Sequence, residues 1–153
     1  MGELRSQPLF TLTIQLHPVQ ELGLTPLGQR RIVPVSGGNF EGARLRGVVL
    51  PHAGGDWLLA RGDGTFQQDV RLTLQTDDGA LIYMSYRGVR HGSPEVTARL
   101  ARGERVDPNE YYLRTAPFFE TAASPYAWLN KLVAVGVGER RPDGAAYEVF
   151  EVL

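Results

Sequence analysis

Asp69, Arg71 and Thr73 stand two residues apart in the stretch QQDVRLTLQ, so on an extended chain they share one face, while Val70, Leu72 and Leu74 share the other. A carboxylate and a guanidinium placed this way admit two readings. Facing water, they are the polar side of an ordinary half-buried strand. Facing a lumen, Asp69 needs a cationic partner such as Arg71 or Arg31, and desolvation raises its carboxyl toward the range in which it can exchange a proton beside a carbonyl. A second group lies in YYLRTAPFFET, where Tyr112, Arg114, Phe118 and Glu120 share a parity and Pro117 marks a bulge or strand edge. The following SPYAWLN adds Tyr126, Trp128 and Asn130. Aromatic rings with an arginine and a carboxylate near a strand end suit a planar or anionic small molecule, because arginine pairs with carboxylates and stacks on rings. The alternative is that Phe118, Phe119 and Trp128 are core, with Arg114 and Glu120 a surface pair. In LIYMSYRG, Tyr83 and Tyr86 fall on opposite faces. Tyr83 shares its parity with Ser85 and Arg87, which marks it as the candidate for a polar lumen and for stabilising an oxyanion.

The elements that must position these groups read as strands. Phe10, Leu12, Ile14 and Leu16 alternate with Thr11, Thr13 and Gln15, a period of two. Further apolar, β-branched or aromatic runs cover 30–35, 44–50, 57–61, 66–75, 80–90, 111–121, 131–139 and 146–152. Asp63-Gly64, Asp78-Gly79 and Asp143-Gly144 separate neighbouring runs and suit tight hairpins, which require positive φ. One helix is expected, capped by Ser93, with Pro94 in its first turn, Val96 and Leu100 on one face and Gly103 at its end. The loop 18–28, with two prolines and two glycines, reads as an irregular connection. About nine strands joined by hairpins leave two open edges unless the sheet closes, so an antiparallel, lipocalin-like β-barrel with one short helix is expected, with a β-sandwich as the alternative. The 153 residues form a single domain over 1–153.

Composition narrows the function classes. A formal charge of -1 with 22% charged residues gives no electrostatic footprint for nucleic acid. The absence of cysteine excludes disulfides, thiolate metal sites and a cysteine nucleophile. His17, His52 and His91 lack close metal-ligand spacing, so no metal and no cofactor is expected. The start MGELRSQPLF lacks the apolar core of a secretory signal, and no run approaches the ~20 apolar residues of a membrane span. A cytoplasmic protein is the expectation. VSGGNFEG, residues 35–42, is no phosphate loop: a strand pattern, not a helix, follows Gly42, and no lysine occurs before Lys131. Bulges or a bend at a barrel rim explain its glycines, and Asn39 beside them is a ligand-binding candidate.

RRIVPVSGGNFEGARLRGVVLP, GGDWLLARGDGT, DVRLTLQTDDGALIYMSYRG, YYLRTAPFFETAASPYAWLN and VAVGVGERRPDGAAYEV occur in this order over nearly the whole chain. Together they resemble the uncharacterised bacterial family known as domain of unknown function 3237, or uncharacterised protein family 0311. The resemblance rests on the Gly-Gly-x-Phe-x-Gly loop, the pair Asp56-Trp57, Asp-x-Arg before Thr-Asp-Asp-Gly, and Arg-Thr-x-Pro-x-Phe-Glu-Thr leading to Tyr-x-Trp-Leu-Asn. It implies an antiparallel barrel with a central cavity and a homo-oligomer of two or more chains, and it supplies no reaction. With Asp56 and Trp57 added, the ligand-binding candidates are Arg31, Asn39, Asp56, Trp57, Arg71, Arg114, Phe118, Tyr126, Trp128 and Asn130. The catalytic candidates are Asp69, Glu120 and Tyr83.

The leading expectation is a barrel pocket that binds a small hydrophobic carbonyl or carboxylate metabolite. The alternative is a cofactor-independent isomerase, cyclase or lyase that uses a pocket carboxylate for proton transfer. A third class, a structural or partner-binding subunit, requires a filled barrel and an exposed apolar patch.

Overall fold

The computed structural model describes residues 2–153. Among them ten strands follow in order: β1 Ser6–Leu16, β2 Gln20–Thr25, β3 Gly28–Glu41, β4 Arg46–Val49, β5 Gly55–Ala60, β6 Phe66–Thr76, β7 Leu81–Gly92, β8 Tyr111–Glu120, β9 Ala134–Arg141 and β10 Gly144–Val152. One helix, α1 Pro94–Ala101, follows β7, and 3-10 turns span Pro108–Glu110 and Ser124–Lys131. The Asp-Gly hairpins form as the sequence requires, with Gly64 at φ 82° between β5 and β6 and Gly79 at φ 88° between β6 and β7. The Ser93 hydroxyl accepts from the Val96 N–H to cap α1, and Gly103 takes φ 81° beyond its end.

The sheet closes on itself, which excludes the sandwich. β1 pairs antiparallel with β10 along one edge and with β3 along the other, and the ring runs β1-β10-β9-β8-β7-β6 before returning to β3. Between β6 and β3, β5 and β4 share one place in the ring, β5 beside Phe66–Arg71 and β4 beside Leu74–Thr76. The result is a closed eight-stranded barrel, β4 and β5 counting together as one of the eight, with β2 outside it.

β2 corrects the expected loop at 18–28. It pairs with Gly28–Ile32 of β3, and Glu21 bonds Arg31 and Gln29 across the two strands, with a bulge at Leu22 and φ 91° at Gly23. Leu22 and Leu24 are both exposed, so burial imposes no alternation that periodicity could detect. The strand expected from Lys131 starts at Ala134, because the 3-10 turn occupies Ser124–Lys131.

The glycine stretch 35–42 continues β3 as it meets β1. Gln15 pairs Gly37 and Leu16 pairs Val35, leaving Ser36 as an inserted residue. A side chain at Gly38 would overlap the Thr13 carbonyl oxygen, so glycine is what permits the two backbones to meet where the barrel shuts.

The interior divides in two. In one half Leu12, Phe40, Leu72, Leu74, Ile82 and Met84 are fully buried, and the Phe10 ring packs on Phe40 and Phe119 at centroid distances of 5.6 and 5.8 Å. The 3-10 turn Ser124–Lys131 plugs this end with buried Leu129, and the Tyr126 hydroxyl donates to Asp78 Oδ1 at 2.9 Å. In the other half, beneath α1, the interior is a cavity.

Candidate functional site

The cavity measures about 350 Å³ and is walled by the starts of β6, β8 and β10, the ends of β1, β7 and β9, parts of β3 and β5, and the inner side of α1. Its apolar lining includes Leu58, Phe66, Val70, Leu100 and Leu113. Its polar lining is more informative: Asp56, Gln68, Tyr86, Arg90, Arg140 and Tyr147.

Asp56 reaches it from β5, whose other inward residue is Leu58. Its Oδ1 accepts the backbone N–H of Asp69 at 3.0 Å. Burial pushes its carboxyl up from 3.8 to about 6, only partly opposed by that hydrogen bond and by the positive charges of Arg140 and Arg30. Tyr86 and Tyr147 meet edge to face with ring centroids 5.4 Å apart. Burial raises the Tyr86 phenol well above its usual range and Tyr147 to about 12, and the Asp56 charge adds to both shifts. The Tyr86 hydroxyl and Gln68 Oε1 are buried without a partner at good hydrogen-bond geometry, the Tyr147 hydroxyl lying close enough to Tyr86 to shift both phenols. Tyr147 has room to lean inward because Gly138 stands opposite: a Cβ there would lie 2.7 Å from the Tyr147 ring and 2.6 Å from Leu113.

Two arginines complete the wall. Arg90 stacks over Phe66, its guanidinium carbon 4.3 Å from the ring centroid, and burial followed by the charge of Arg140 lowers it to about 10. Arg140 is tied down by donation from Nη1 to the carbonyls of Arg141 and Gly144, and its backbone N–H donates to the Tyr111 hydroxyl at 2.8 Å. Among the described residues no carboxylate oxygen lies within 4.0 Å of either guanidinium, whereas Arg31 at the rim is paired with Glu21 at 3.0 Å.

Of the residues singled out by sequence, Asp56 and Arg31 line this cavity. Asp69, Arg71 and Thr73 face outward, because the interior parity of β6 is Gln68, Val70, Leu72 and Leu74. Asp69 nevertheless touches the site through its backbone. Tyr83 and Glu120 are paired in register on the outer surface, both exposed, which removes them as lumen acids or oxyanion donors. Trp57 and Arg71 stack outside the barrel at 5.3 Å, and Arg114 stacks over Tyr112 at 5.0 Å. Phe118 is 55% exposed. Asn39 is exposed; Tyr126 belongs to the plug; Trp128 carries Arg44 at 4.0 Å; and Asn130 bonds the backbone of Thr121. Tyr112 and Arg114 instead line a shallow groove of about 430 Å³ on the outer face with Gln67, Arg87 and Val89, Phe118 and Glu120 lie apart from it, and none of the four opens into the barrel cavity. Sequence reasoning missed Gln68, Tyr86, Arg90, Arg140 and Tyr147.

The chain matches the family model "Protein of unknown function (DUF3237)" over residues 4–152. It is 37% identical over 150 residues to the UPF0311 protein RPA1785 of Rhodopseudomonas palustris, covering 98% of this chain and 97% of that one. The crystal structure of RPA1785 superposes with a TM-score of 0.96 over the whole of both chains. A β-barrel like protein from Acinetobacter baumannii gives 0.87 at 41% identity, over 100% of this chain and 98% of that one. An enzyme from Penicillium herquei gives 0.75 at 19% identity, over 100% and 97%, a likeness of fold alone. The chain belongs to the DUF3237 family, a family of unknown function built on this barrel.

Proposed function

We propose that the open half of the barrel binds a small organic molecule and that Asp56 moves a proton on it, as in a cofactor-independent isomerase, cyclase or lyase. The observation that carries this reading is the placement of Asp56 and the buried Tyr86 hydroxyl in one cavity wall. With its carboxyl at about 6, Asp56 is largely ionised near neutrality yet basic enough to remove a proton from a carbon next to a carbonyl. The oxyanion that forms needs a donor, and Tyr86, held protonated by its burial, supplies one. Returning the proton from Asp56 to a different carbon gives isomerisation; loss of a β-leaving group gives elimination. The cavity's size and its apolar walls suit a ligand of roughly the smallest pocket-bound class.

The test is proton–deuterium exchange, followed by NMR in heavy water, on a panel of 2-oxo acids, cyclic enones and aryl ketones. Wild type should accelerate exchange at the carbon beside the carbonyl of at least one member. Asp56→Asn should retain binding, measured by calorimetry, and lose the acceleration. Undiminished exchange in Asp56→Asn would refute the role given to this carboxylate.

A further inference from the structure

The lumen is electrostatically unbalanced. The Arg31–Glu21 pair at the rim is internally neutral, which leaves Asp56 as the one remaining carboxylate among the described lining residues, on a wall that also carries Arg90 and Arg140. A half-buried guanidinium without a carboxylate gives up part of its hydration with no ion pair in return. Arg140 is accounted for in part, since two backbone carbonyls hold it. Arg90 has no such bonds. One face of its planar group lies on Phe66, so the group is oriented while its N–H edge remains unsatisfied by protein. That is the preparation a guanidinium needs to receive two carboxylate oxygens side by side.

Resting on the reading of this lumen as a ligand site, we propose that Arg90, supported by the charge of Arg140, is an anion subsite and that the ligand is a small monocarboxylate. One negative charge brings two arginines and an ionised Asp56 to balance. A second would repel Asp56. The volume bounds the size: a cavity of about 350 Å³ stands at the small end of ligand pockets and suits a small molecule with one ring and a short acid arm. The carboxylate fixes one end of the molecule at Arg90, the apolar lining receives its body, and the carbon beside its carbonyl is presented to Asp56.

Phenylpyruvate has this size, a single carboxylate and an exchangeable carbon beside a carbonyl, and phenylpyruvamide is its neutral counterpart of equal size. Calorimetry on the intact protein should show the acid binding about tenfold or more tighter than the amide, the difference expected of a charge-assisted bidentate contact. Arg90→Met should bring the acid-to-amide ratio near one. This variant should fold, because it replaces an unpaired half-buried charge by an apolar chain of similar length, and circular dichroism checks that it does. Asp56→Asn should keep or strengthen the preference for the acid. Equal binding of acid and amide to wild type, no binding of either up to about 10 mM, or a ratio that survives in Arg90→Met would each overturn the anion subsite. A preference for the acid that disappears in Arg90→Met, with no deuterium exchange in wild type, would uphold the subsite while removing the proton-transfer role of Asp56.

Discussion

Replacing Asp56 by asparagine should stabilise the barrel, and the gain should depend on pH in a direction fixed by the site. The carboxyl is raised on folding, so the folded protein binds this proton more tightly than the unfolded chain does. A raised carboxyl favours folding in acid and loses that advantage as pH climbs through the folded value. The interval from 3.8 to about 6 therefore corresponds to about 3 kcal/mol of folding free energy withheld once Asp56 is ionised in both states. At about pH 4.5 only about 1 kcal/mol of that cost has developed; at about pH 7.5 nearly all of it has. Asparagine retains the acceptor for the Asp69 N–H and carries no charge at either pH. Urea unfolding of wild type and Asp56→Asn at both pH values isolates the effect, because every other carboxylate is common to the two proteins and cancels. The variant's advantage should grow by about 2 kcal/mol between the two conditions. An advantage independent of pH, or one that shrinks as pH rises, would refute the raised carboxyl and with it the basis for Asp56 as a proton-transfer group.

Tyr86→Phe removes a buried hydroxyl that makes at most a weak contact with the Tyr147 hydroxyl, so stability should stay within about 1 kcal/mol of wild type by thermal unfolding, while deuterium exchange slows at least about tenfold. The exchange rate on an active ketone should rise with pH through about 6 and then level off, since Asp56 must be ionised and the two lumen phenols stay protonated far above neutrality; a rate that falls across this interval would require an acid in place of the base. Gly38→Ala puts a methyl group onto the Thr13 carbonyl oxygen at the seam between β1 and β3 and should cost about 3 kcal/mol in urea unfolding, whereas wild-type stability would show that the seam yields.

The closed barrel was legible because two local signals agreed: period-two alternation in β1 and β6, and Asp-Gly turns between successive runs. β2 was not, since both of its leucines are exposed and what fixes it is pairing to β3 from across a turn. The site was misplaced for a specific reason. Reading a lumen as polar led to the polar parity of each strand, Asp69 on β6 and Tyr83 on β7, yet both face solvent.

In a barrel that is packed at one end and hollow at the other, the lumen and the core lie on the same parity, because a strand cannot change faces between them without a bulge. β7 runs inward through Ile82, Met84 and Tyr86 to Arg90; β6, traced in the opposite direction, runs Leu74, Leu72, Val70, Gln68. In each case the polar site residue continues the apolar series just past the point where the core ends. β10 does the same within Ala145, Tyr147 and Val149, and β9 reaches Arg140 after two glycines that give it no apolar series to extend. Tyr86, Gln68 and Arg90 could thus have been found by following the apolar face along each strand and asking where it turns polar. Arg140 could not, because Gly136 and Gly138 mark their face only through what their missing side chains leave room for, which is Thr115, Leu113 and Tyr147 on neighbouring strands.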